Sequence, residues 1–123
     1  MANELLNDKA LSFAIRCVNL YKELRTKRDD YILCKQMLRS GTSIGANISE
    51  STNAQSDMDY VSKLSIALKE ADETYYWFKL LKRTDYINDN EYISLEKDVK
   101  ELIAMLTTLI KNKKKNINEA TKQ

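Results

Sequence analysis

No proline interrupts this chain, and its two glycines, Gly41 and Gly45, stand four residues apart. Tight turns depend on those two residue types, and a β-rich fold of this length needs roughly six or more of them. Their scarcity predicts a few long helices instead. At 123 residues the chain has the length of one domain built on one continuous core.

Four segments carry the three-to-four apolar spacing of amphipathic helices. The first is predicted from Asp8 to Lys27, with Asn7 as N-cap. It bears two apolar rows, Leu11-Ile15-Val18 and Phe13-Cys17-Leu20-Leu24. The second is predicted over 30–53 on Leu33, Met37, Ile44 and Ile48, flanked by Ile32, Leu38 and Ala46. Gly41, Gly45 and Ser49 recur on it every fourth residue, a stripe against which a neighbouring helix could pack closely. The alternative is a break at Gly41 that splits the helix in two, but Ile44 and Ile48 keep the phase of Leu33 and Met37, so a continuous helix is expected through both glycines.

The third helix is predicted over 57–83, opened by a capping box of Ser56 and Asp59. Its core stripe is Val61, Leu64, Leu68, Ala71, Tyr75 and Phe78. The fourth follows an Asn88 cap supported by Glu91 and is predicted over 89–111, on Tyr92, Leu95, Val99, Leu102, Leu106 and Leu109. Short polar connections force antiparallel neighbours. The expectation is an all-α, up-down-up-down four-helix bundle over residues 1–112, followed by a basic, frayed tail at 113–123.

Apolar runs are too short to span a membrane, and the N-terminus has no apolar signal-like core. Cys17 and Cys34 fall at different heights of the expected hairpin and read as two small buried thiols in a reducing cytoplasm. There is no histidine, no cysteine pair at metal-ligand spacing and no glycine-rich phosphate loop. An enzyme is therefore not expected, nor a cofactor or metal.

Polar residues suggest surfaces instead. Arg39, Ser43, Asn47 and Glu50 share about 80° of the second helix at 100° per residue. They read as a solvated face, as a buried intrachain network with Lys63, Glu70 and Glu73 as candidate partners, or as a subunit interface. Trp77 and Tyr76 point away from the core stripe, and Trp77 with Leu80 forms a candidate interface patch.

The charge is uneven around a net +2: residues 1–28 carry six basic and three acidic side chains, and 111–123 carry five and one. The C-terminal ends of the first and third helices should share one pole. It would gather Lys22, Arg25, Lys27, Arg28, Lys79, Lys82 and Arg83, a candidate phosphate-binding cluster that the helix macrodipole also favours.

RSGTSIGANISES (39–51), followed by SDMDYVSKLSIALKEADETYYWFKLL (56–81), resembles the bacterial family of four-helix bundle proteins first found encoded in intervening sequences of large-subunit ribosomal RNA genes. The likeness covers about residues 10–110. It includes Tyr21-x-x-Leu24 and the lead-in Gln36-Met37-Leu38-Arg39-Ser40, and departs where Ser51 replaces the family's usual glycine. The resemblance implies ring-shaped homopentamers of an antiparallel bundle. It also implies kinship with the accessory variability protein of diversity-generating retroelements, which binds nucleic acid and partners a reverse transcriptase. The resulting expectation is a non-catalytic, homo-oligomeric accessory or scaffold protein associated with RNA or DNA. The alternative is an assembly module that binds a protein partner and no nucleic acid.

Overall fold

The computed structural model describes residues 2–27 and 32–121; the expected start of the second helix, and Arg28, lie outside them. Four helices follow in chain order: α1 (Ala2–Lys27), α2 (Ile32–Ser51), α3 (Asp57–Arg83) and α4 (Asp89–Thr121). Each packs on its sequence neighbour, and α1 meets α4 more lightly to close an antiparallel up-down-up-down bundle.

α1 begins before the expected Asp8, and Asn7 is an interior residue, not a cap. Leu6 is buried, so the core rhythm starts a turn earlier, as Leu6-Ala10-Phe13-Cys17-Leu20-Leu24. The companion row turns outward. Leu11 and Ile15 are 62% and 54% exposed, because one core can cover only one stripe of a helix this regular.

α2 runs unbroken through both glycines, as its apolar phase requires. A β-carbon on Gly41 would stand 2.5 Å from Cys17 Sγ, and one on Gly45 would stand 3.5 Å from the Ala10 carbonyl oxygen. The small-residue stripe thus lets α1 approach closely. Beyond Ser51, the Thr52, Asn53 and Ala54 amides donate to carbonyls three residues back, closing the helix end with a tightened turn before the expected Asn53.

The Ser56 and Asn88 caps form as their sequences foretell, although the Asp59 carboxylate accepts from the Gln55 amide and not from that of Ser56. Ser56 Oγ accepts from the Asp59 amide at 3.0 Å, while Asn88 and Glu91 exchange side-chain and backbone bonds at 2.8 and 3.2 Å. Asp85 adopts a left-handed φ of 66°, and the Tyr86 amide reaches back to the Leu81 carbonyl, ending α3 in a Schellman turn. Leu68 and Tyr75 are half-buried, and Thr74 takes a place in the core beside them.

The basic segment at 113–123 is not a frayed tail as far as the described residues reach, since α4 continues to Thr121. Ile117 packs against the core, and Lys113 pairs with Asp57 at 3.0 Å while lying over the Tyr60 ring. These anchors hold the last turns of α4 to the connection between α2 and α3.

Candidate interaction surfaces

The α2/α3 seam gathers the polar stripe read from the sequence. Arg39 pairs with Glu70 at 3.1 Å and with Glu73, whose carboxylate also accepts from Trp77 Nε1 at 3.3 Å. Glu50 pairs with Lys63 at 3.4 Å, at the far end of the stripe from Arg39. Ser43 donates to the Arg39 carbonyl and Asn47 to the Ser43 carbonyl, so both bond within α2. The partners of Arg39 and Glu50 are intrachain, but the network lies at the surface and is not the buried one of that reading: Arg39 remains 49% exposed and Glu70 18%. Beneath it, Thr74 Oγ1 lies 2.8 Å from Ser40 Oγ, a buried hydroxyl pair between the two helices. Trp77 is half-buried with Tyr76 edge-on against it at 5.1 Å, leaving Tyr76 as the more exposed ring.

The C-terminal ends of α1 and α3 do share a pole. Leu24 and Lys27 line a depression there together with Asp85–Asn88 and Glu91. Its cations are largely engaged. Lys27 pairs with Glu23, a hydrogen bond that pushes its pKa up, and Lys82 pairs with Asp89. Arg25 lies over Tyr21, Lys79 over Tyr75 and Lys82 over Tyr92. Lys22 and Arg83 are exposed.

Two seams escaped the sequence reading. Across α1/α4, Arg16 reaches Asp98 at 2.7 Å and Ser94 Oγ at 2.7 Å, and Lys9 reaches Glu101 at 2.8 Å. Across α3/α4, Tyr75 and Tyr92 both donate to Glu96 Oε2, at 2.5 and 2.9 Å. Those two bonds, Tyr75's first, hold the Glu96 carboxyl below its ordinary pKa. The bond to Glu96 raises Tyr75, and burial is the main cause that raises Tyr92. No local signal marks the pairs that cross between helices, because each of those joins residues far apart in the chain; Tyr92 and Glu96, four apart on α4, are the exception.

A third feature had a signal that went unused. Two apolar rows on α1 are more than one core needs, and the surplus Leu11 borders a groove of about 350 Å³ between α1 and α2. Small residues floor it: Ala14, Thr42, Gly45, Ala46 and Ser49.

Among the described residues no cluster of histidine, cysteine, aspartate or glutamate could hold a metal, and no helix is long and apolar enough to cross a membrane. Fold and surfaces together define an antiparallel four-helix bundle whose charged side chains pair across its seams. The 23S rRNA-intervening sequence protein family matches residues 5–108, and the chain belongs to that family. A crystal structure from Bacteroides thetaiotaomicron VPI-5482, described as a protein with unknown function from the S23 ribosomal protein family, is 50% identical to it. The likeness covers 90% of this chain and 99% of that one, with a TM-score of 0.88. No curated protein matches the chain.

Proposed function

We propose that the chain is a non-catalytic bundle protein that associates with copies of itself and acts as a scaffold. The observation that carries this reading is the exposed pair Leu11 and Ile15, one turn apart on α1, beside the small-residue groove of α2. An apolar ridge next to a shallow furrow suits the packing of one copy's helix against another's, and contiguous exposed apolar surface marks such contacts. A closed ring, the homopentamer that the family likeness implies, would bury the ridge in every subunit. The α2/α3 polar stripe is then a brace within each subunit, its charges already paired.

Light scattering on the full chain at tens of micromolar tests this. The expected result is a closed oligomer for the wild type and a helical monomer for Leu11→Glu/Ile15→Glu. A wild-type monomer contradicts the proposal.

Association with nucleic acid is the second reading. It is favoured by the excess of lysine in residues 111–123, where five basic side chains face one acidic.

A further inference from the structure

Five lysines of α4 gather on one face. At 100° per residue, Lys97, Lys100, Lys111, Lys114 and Lys115 fall within about 100° of helix surface, and all five are exposed. The acidic residues on the same stretch are engaged, Asp98 and Glu101 outside that sector and Glu96 at its edge, in line with Lys114. Asp98 is held by Arg16 and Glu101 by Lys9 on the α1 side, while Glu96 is held by Tyr75 and Tyr92 on the α3 side. Lys113 points back to Asp57 and Tyr60, so it belongs to the bundle and not to the stripe. Lys100 Nζ approaches Glu96 at 3.8 Å and the Tyr75 ring at 5.6 Å, so its ammonium group is partly engaged at the edge of the stripe while its side chain stays exposed.

The five lysines form two groups about 16 Å apart along the axis, from 1.5 Å of rise per residue. The exposed small side chains of Ala104, Thr107 and Thr108 lie between them. Two cationic clusters flanking a low, neutral saddle suit phosphates on either side of a nucleic-acid groove. A lipid surface fits poorly. Membrane-bound helices carry an apolar face opposite their charges, and here that face, Leu102, Leu106 and Ile110, is buried in the core.

We infer that this outward face of α4, rather than the pole at the ends of α1 and α3, is where the protein contacts nucleic acid, through phosphates and without reading sequence. The inference rests on the nucleic-acid reading and not on self-association. Lys97 and Lys100 lie within the family-matched residues 5–108; Lys111, Lys114 and Lys115 lie beyond them.

The test is fluorescence anisotropy of the full chain with a labelled 20-base-pair RNA duplex and the DNA duplex of the same sequence, each titrated with salt. Vesicles of anionic phospholipid form a third arm. Two variants are compared with wild type: K97Q/K111Q/K114Q/K115Q on the stripe and K22Q/R25Q/R83Q at the pole. All substituted residues are exposed, and circular dichroism confirms the helix content of each.

The expected result is salt-sensitive wild-type binding to a duplex, weakened at least about tenfold in the stripe variant. The salt slope should become shallower by about 0.9 for each phosphate no longer neutralised by a lysine, while the pole variant binds as wild type. Weakening confined to the pole variant overturns the α4 assignment and leaves the nucleic-acid reading standing. Binding to vesicles alone, or to nothing, overturns both.

Discussion

A β-carbon on Gly41 would meet the sulfur of Cys17 at 2.5 Å and its Cβ at 3.2 Å, whereas one on Gly45 would meet the Ala10 backbone and Cβ at 3.5–3.6 Å. Two glycines on one helix face thus have different reasons to be small. Gly41→Ala is expected to destabilise by about 1–3 kcal/mol from overpacking, less the roughly 1 kcal/mol that alanine adds to helix propensity. Cys17→Ala in the same chain should recover part of the deficit. Gly45→Ala meets only ordinary contact, so propensity dominates and stability should hold or rise by up to about 1 kcal/mol. Urea denaturation of the three variants against wild type checks this, and equal destabilisation at the two glycines would contradict it.

Arg39 ties α2 to α3 through Glu70 and Glu73 but stands half in solvent. Arg39→Ala should cost no more than about 1 kcal/mol, less at high salt, as for other solvent-screened pairs. Solution mass should not change. A smaller oligomer in light scattering would instead place Arg39 between subunits.

The Tyr75–Glu96–Tyr92 cluster makes stability depend on pH at both extremes. Glu96 is held below its ordinary pKa, so its contribution is present above the unfolded carboxylate value and is lost as pH falls through the lowered folded one. Tyr75 and Tyr92 are raised, so theirs is present below the unfolded phenol value and lost as pH rises through the folded ones. In a phenolate absorbance titration of the folded protein, these two should ionise above the ordinary phenol range. In Glu96→Gln, Tyr75 should titrate earlier than in the wild type.

Cys17 is buried and its thiol is pushed up to about 12, burial outweighing the opposing charge of Arg16. Only the thiolate attacks disulfide reagents, so the native protein should react negligibly at about pH 8. Cys34 is equally buried. Both thiols should become reactive together on unfolding, and a fast thiol in the native state would show that α1 opens locally.

Helix number, order and most termini were legible because their signals are local. Periodicity, the Ser56 and Asn88 caps and the want of turn residues each act within a few positions of the chain. Gly41 and Gly45 pointed either to close packing or to a break at Gly41, and the unbroken phase of Ile44 and Ile48 favoured the first. The candidate site was only half legible. The 0-4-8-11 spacing of Arg39, Ser43, Asn47 and Glu50 showed that they share a face, and α3 residues already in view supplied Glu70, Glu73 and Lys63 as partners.

What the chain determined by itself is where it coils and which residues lie on a common stripe, for a helix's geometry repeats identically along its length. Tertiary structure decided which of two apolar rows on α1 went inside, that Ile117 and Lys113 would dock and hold the end of α4, and that α4's carboxylates would be taken up by α1 and α3. Those outcomes depend on how four rods rotate about their axes to fill one interior, a choice made jointly by all of them and written in no single segment.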